Sequence, residues 1–226
     1  SDVCSSDLET YMALSQLAQA EAPSLRIGLT TAFEQGVFAS LEAVLAAQVE
    51  ALHVVRHGSP ELVRQVRRGK LDAALVALPL ETSALSLTRL NRQEPLIAAL
   101  SAQWAEAEQE RLTLSTLNGR PLFWFKRERN PAFFDFTRDI FRRVGYVPAC
   151  LEEPLEHDVL LARIARGEGL SLFPASFAAI QRQGVVFRAI DETALCVECG
   201  LVMLPENAAR LAWLLEMAQA DSRVTN

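Results

Sequence analysis

Two short stretches, Arg68-Gly69-Lys70 and Arg166-Gly167-Glu168, end helical patterns in the same way and stand 98 residues apart. The interval is not confined to these glycines. It carries Ser59, where one helical pattern opens, onto His157, where another opens, and it carries Leu25 in one strand pattern onto Phe123 in a second. Several landmarks sharing one interval mark an internal repeat. Residue identity between the halves is low, so the repeat is one of plan. A chain of this kind has to build two similar strand–helix–strand–helix–strand units.

The first unit opens with Leu25-Arg26-Ile27-Gly28-Leu29-Thr30-Thr31, which alternates as a strand does. Val37, Leu41, Val44 and Leu45 follow at helical spacing, and Leu52 to Val55 reads as a second strand. Ser59 is read as an N-cap, with Pro60 at the first helical position and Glu61 complementing the helix dipole. That helix should stop at Gly69, and Leu71 to Leu78 should be a buried strand ended by Pro79. In the second unit Pro121 to Lys126 is a strand, Asn130-Pro131 opens a helix, and Val147 to Leu151 leads to a helix from His157. Leu170 to Phe173 closes this unit before Pro174. Beyond it come strands at Val185 to Ile190 and Val197 to Leu204, then a helix from Glu206 to Ala220.

Alternating strands and helices imply parallel sheets covered by helices on both faces. The expected fold class is α/β, with two Rossmann-like lobes and a ligand cleft between them. The first lobe would comprise residues 24–92 and 196–226, and the second residues 93–195. Crossings near Arg92–Ile97 and Asp191–Cys196 would form the hinge. Sites in such sheets lie beyond the carboxyl ends of the strands. Four helices should open at that edge, after Thr31, at Ser59, at Asn130-Pro131 and at His157. Unpaired N–H groups at helix starts favour an anion, and a carboxylate is the natural candidate.

Apolar residues make up 50% of the 226 and charged residues 22%, a composition that folds. No apolar run reaches the roughly 18 residues that span a membrane. No export signal is visible, so a cytoplasmic setting is expected. The net charge of −6 opposes binding to a phosphate backbone by this stretch alone. Residues 1–8 show no periodicity and look like translated sequencing adapter or a cloning scar. Residues 9–23 read as the remnant of a linker helix. Cys196-Val197-Glu198-Cys199 has metal-like spacing but lies in a strand pattern, where residues three apart face opposite ways, so no metal site is expected. No Gly-x-Ser-x-Gly elbow, Walker loop or dinucleotide fingerprint occurs, and neither an enzyme nor a cofactor is expected.

Several segments together resemble the effector-binding domain of LysR-type transcriptional regulators. They are Leu25-Arg26-Ile27-Gly28, Gly69-Lys70-Leu71-Asp72-Ala73-Ala74-Leu75, Glu94-Pro95-Leu96 and Gly167-Glu168-Gly169-Leu170-Ser171-Leu172-Phe173-Pro174. The resemblance covers almost the whole chain. The Phe133–Pro148 stretch and Pro174-Ala175-Ser176 look most like the subgroup that senses aromatic-degradation intermediates such as muconate and benzoate. The resemblance implies a type II periplasmic-binding-protein-like fold, a small-molecule effector in the cleft, and a homodimer or homotetramer. It implies no membrane, and DNA contact only through an N-terminal domain that this chain lacks.

Carried over by position, the effector shell would include Thr31, Ala32 and Phe33, Ser59, and Pro131, Ala132 and Phe133. Two positions depart from muconate-type sensors: Ala77 stands where they have an arginine, and Ala32 where they usually have a hydroxyl. Thr30, Thr31 and Ser59 can donate to a carboxylate, or serve only strand-end and capping chemistry. Arg127 and Arg129, in the Lys126–Arg129 run, can clamp a carboxylate in two-point fashion, or form an ordinary solvated loop. His157 can hydrogen-bond an effector, or be an exposed helix start. A stand-alone solute-binding protein of the same fold is the second reading, and an enzyme on that scaffold, using Glu128 or His157, the third.

Overall fold

The computed structural model describes residues 24–224. The expected linker helix and the doubtful first octapeptide therefore lie outside the described residues.

In the first lobe, strand β1 (Ser24–Thr30) lies between β2 (Ala51–His57) and β3 (Ala73–Leu78), parallel to both. All six residues of β3 are buried, as the continuous apolar run Ala73–Leu78 requires of a strand covered on both faces. Helix α1 (Ala39–Gln48) connects β1 to β2, and α2 (Ser59–Arg67) connects β2 to β3. Leu62, Val63 and Val66 of α2 seal one face of the sheet against Leu71, Ala74 and Val76. Gly28 permits this close approach: a Cβ there would stand 2.6 Å from Leu62 Cδ2 and 2.9 Å from Leu71 Cδ1.

The second lobe repeats the plan. Strand β6 (Leu122–Trp124) pairs in parallel with β7 (Cys150–Glu152) and bridges to Leu170, beside β8 (Ser171–Pro174). Helix α3 (Pro131–Arg143) follows β6, and α4 (His157–Ala165) follows β7. Helices α2 and α4 are nine residues each and begin 98 positions apart. Each is followed by a glycine in the left-handed region, Gly69 at φ +65° and Gly167 at φ +76°, where only glycine is unstrained.

The sheets are not purely parallel. Strand β4 (Ser86–Ser101) pairs antiparallel with β10 (Cys196–Met203) as far as Pro95, and then with β8 and with β9 (Val185–Ile190) from Leu96 onward. Strand β10 also pairs antiparallel with β3, and the short β5 (Arg111–Leu112) lies beside β9. The expected crossing near Arg92–Ile97 is thus the middle of one sixteen-residue strand. Its polar stretch Asn91–Glu94 and the proline at 95 conceal it, because proline removes a ladder donor and argues against a central strand. Pro95 sits where the pairing partner changes. The expected strand from Val147 begins only at Cys150, leaving Val147 exposed at 81%.

The last helix, α5 (Ala212–Val224), starts later than expected from Glu206. The residues before it are drawn to a buried carboxylate instead. Asp72 accepts from the Arg26 backbone N–H at 2.8 Å, from Arg26 Nε at 3.2 Å and from an Arg210 guanidinium nitrogen at 3.0 Å, while Asn207 donates to its carbonyl at 3.5 Å. Asp72 thereby fastens β1, β3 and the entry to α5. Among the described residues no helix is long and apolar enough to cross a membrane.

Burial raises the Asp72 pKa, but the bonds from Arg26 and Arg210 outweigh it and leave the value below the ordinary range. A depressed carboxylate stabilises the fold above its unfolded pKa of about 4 and ceases to do so as pH falls through the folded value. Asp72→Asn should therefore cost about 1.5–3 kcal/mol at pH 7, as expected for hydrogen bonds to a charged group. The difference from wild type should shrink below pH 4, read by denaturant melts at both pH values.

Candidate functional site

The lobes face each other across a cavity of about 690 Å³. Its base is the strand crossing, through Leu96 of β4 and Val197 of β10. The first-lobe wall comes from carboxyl-end residues, Thr31 and Ala32 after β1 and Ala77 in β3, and from the opening turn of α2. The second-lobe wall is aromatic: Trp124 and Phe125 at the end of β6, Phe133 in the first turn of α3, and Phe173 and Phe177 around β8. Phe125 stacks on Phe133 with ring centroids 5.9 Å apart, and Phe173 lies 4.8 Å from Phe177.

A pair of buried hydroxyls anchors the first wall. Ser59 Oγ and Thr30 Oγ1 are 2.6 Å apart. Ser59 Oγ also accepts from the Ala77 N–H at 2.9 Å, and Thr30 Oγ1 from the Ala32 N–H at 3.2 Å. The two hydroxyls hold two protons, and their mutual bond uses one. The other has no acceptor within the pair, and Ser59 is the member on the cavity wall. Ser59 is not the N-cap expected from sequence. It is the first helical residue, Gly58 holds the cap position, and no side chain caps α2. Its hydroxyl is turned instead to β1 and β3.

Of the helix starts at the rim, α3 is already capped by Asn130, whose Oδ1 accepts from the Phe133 N–H at 3.3 Å. Helices α2 and α4 have no side-chain cap; in the first turn of α2 Pro60 has no N–H and the Glu61 N–H already donates to the Gly58 carbonyl at 3.0 Å. The helix expected directly after Thr31 does not open there. A 3₁₀ turn at Gln35–Phe38 intervenes, and α1 starts only at Ala39.

The structure brings Thr31, Ala32, Ser59, Arg129, Phe133 and His157 together on the cavity wall. Thr30 stands behind Ser59. Phe33 turns into the core, packed edge-on against Phe38 at 5.9 Å, and is not a ligand wall. Arg127 points to Asp135, donating at 2.9 and 2.6 Å away from the cavity. Pro131 and Ala132 complete the first turn of α3 without lining the cleft. Sequence reasoning missed Trp124 and Phe125 because it carried their strand to Lys126, two residues past its true end at Trp124. The aromatic pair, not the basic run after it, therefore occupies the carboxyl end of β6.

It also missed Glu153, in the β7–α4 connection. This carboxyl lines the cavity with no hydrogen bond or ion pair, and burial raises its pKa to about 7 against a weaker opposing pull from Arg129. His157 packs edge-on against Phe173 and Phe177, at 5.7 and 5.0 Å, and the loss of water there lowers its pKa. Cys196 and Cys199 stand in β10, the latter fully buried with its thiol pushed up to about 12 by burial. Among the described residues no three acidic, histidine or cysteine side chains gather as a metal site would need.

An acid whose folded pKa is raised destabilises the fold once the unfolded state ionises. The penalty is absent below pH 4, grows from about pH 4.5 to 7 and is constant above. Glu153→Gln should accordingly raise stability by up to about 2–3 kcal/mol at pH 8 and by nothing at pH 4, measured by melts of both proteins.

A family model described as the LysR substrate binding domain matches residues 18–223. The chain is 28% identical over 174 residues to the HTH-type transcriptional regulator IlvR of Caulobacter vibrioides, covering 75% of this chain and 57% of that protein. It is 27% identical over 192 residues to the HTH-type transcriptional regulator TfdS of Cupriavidus pinatubonensis, covering 84% and 65%. It spans about half to two thirds of the curated relatives it matches. Among solved structures, full-length CbnR bound to its target DNA superposes with a TM-score of 0.74 at 19% identity, over 96% of this chain and 80% of that one. The effector binding domain of a BenM variant superposes with a TM-score of 0.73 at 18% identity, over 89% and 95%. At these identities the superpositions show the fold.

Proposed function

Because the chain belongs to the family of LysR substrate binding domains, we propose that its cleft is an effector site and that the chain is the sensing part of a LysR-type transcriptional regulator. The observation that carries this reading is the cavity of about 690 Å³ with walls from both lobes and a base made by the strands that join them. A small molecule seated there touches Ser59 on one side and the aromatic wall on the other. It favours the lobe arrangement in which both contacts are made, and it shifts that equilibrium by its differential affinity alone.

The ligand we assign is a small molecule bearing a carboxylate and an apolar body. Its carboxylate is received by the Ser59 hydroxyl, Thr31 and the uncapped start of α2, and its apolar part by Phe133 and Trp124. The proposed role is binding and signalling, not catalysis. In the complete regulator the domain works in the cytoplasm as part of a dimer or tetramer, and a separate part of the protein contacts DNA. The relatives named above are transcriptional regulators, which supports this reading over a solute-binding protein or an enzyme of the same fold.

The test is a thermal-shift screen of the chain against small carboxylates, aromatic acids and amino acids included. A ligand at 100 times its dissociation constant should stabilise the protein by about 2.7 kcal/mol. Thr31→Val and Ser59→Ala should each weaken that ligand at least tenfold. Because Ser59→Ala also strips a partner from Thr30 and the Ala77 N–H, its own melting point should fall, whereas that of Thr31→Val should not. A ligand unaffected by both substitutions would place the site elsewhere.

A further inference from the structure

We infer, resting on the effector reading above, that the ligand of this cleft is zwitterionic: an amino acid with a large apolar side chain, its carboxylate at Ser59 and its ammonium at Glu153. The charges on the cavity wall carry the argument. On the first lobe, Arg64 donates to Glu61 at 3.0 Å through Nε, and a second guanidinium nitrogen approaches the same oxygen at 2.5 Å. That pair is closed on itself. On the second lobe, Arg129 shares the cavity wall with Glu128 and Glu153 and pulls on the Glu153 carboxyl, and His157 is held toward its neutral form. The wall therefore has no surplus of positive charge for a dicarboxylate. Ala77 adds to this, because it puts a methyl group at a first-lobe position facing the cavity.

Glu153 is the residue that selects. Its side chain is drawn into the cavity wall and makes no hydrogen bond or ion pair with the protein. Partial burial disfavours its charged form, so a ligand that supplies donors or a cation gains there. A second carboxylate on the ligand supplies none and adds like-charge repulsion. An ammonium supplies three N–H donors and the opposite charge. The neighbouring rings suit the same ligand. Trp124, Phe125 and Phe133 offer apolar area for a side chain, and aromatic faces also accept a cation. The raised pKa of Glu153 agrees with an acid waiting for a cationic partner: when the ammonium binds, the carboxyl ionises and gives up its proton.

The experiment is titration calorimetry on the full chain with paired probes: phenylalanine against 3-phenylpropionate, tryptophan against indole-3-propionate, leucine against 4-methylpentanoate, with adipate as the dicarboxylate. At least one amino acid should bind ten times tighter than its des-amino partner and than adipate. Glu153→Gln, which is expected to fold at least as well as wild type, should remove that preference by weakening the amino acid and sparing the des-amino acid. Amino-acid affinity should fall as pH drops from 8 to 6 in wild type and stay level in Glu153→Gln. The other titratable or charged groups on this wall, Glu61, Arg64, Glu128, Arg129 and His157, are shared by both proteins and cancel in that comparison. Des-amino acids or adipate binding as tightly as the amino acids, with Glu153→Gln neutral, would overturn the zwitterion and leave the effector cleft standing. Amino-acid binding insensitive to Thr31→Val and Glu153→Gln alike would overturn both. No binding by any probe would overturn the zwitterion, with the wider screen deciding the cleft.

Discussion

Strand β4 belongs to both lobes. Its first half is held by β10 and its second by β8 and β9, with the exchange of partners at Pro95 and Leu96. Ladder hydrogen bonds are directional and nearly all buried backbone groups are paired, so neither half of β4 can leave its sheet without losing them. The two sheets are therefore tied through one continuous backbone, and the cavity sits directly above the tie. Leu96 and Val197, the residues at its base, are members of the two strands that cross there. A ligand that presses on both walls works against this connection.

The first lobe presents a wall that is already rigid. Ser59, Thr30 and the Ala77 and Ala32 N–H groups form one bonded cluster, so the hydroxyl facing the cleft is held without side-chain freedom left to lose. The second lobe presents a wall of rings and, in Glu153, a half-buried carboxyl. Such a division, polar on one side and mostly apolar on the other, orients a ligand with a charged head and an apolar body. The half-buried carboxyl weakens the empty protein above its raised pKa, which is the usual relation between a binding site and the stability of its scaffold.

Much of this was legible in the residues. The interval of 98 positions placed α2 and α4 and their terminal glycines, because helix stops depend on local backbone preference that glycine at 69 and 167 announces. The run Ala73–Leu78 announced a buried strand for the same kind of local reason. Strand β4 was not legible. A strand that is partly exposed in its first ten residues and buried throughout its last six, with a polar centre and a proline, has no single periodicity to read. Asp72 reads in sequence as part of a family motif, but its grip on Arg26 and Arg210 joins residues 46 and 138 positions away.

The cleft shows the same boundary. Sequence alone determined that helix starts and strand ends converge at one edge, and it named Thr31, Ser59, Arg129, Phe133 and His157 among those present. It could not tell that Phe33 turns inward onto Phe38, that Arg127 is taken by Asp135, or that Glu153 stands in the cavity without a partner. Those outcomes depend on which side chain finds a partner across space. Local pattern determines where an element begins and ends. Only the packed structure decides which of its polar groups are already satisfied and which remain for a ligand.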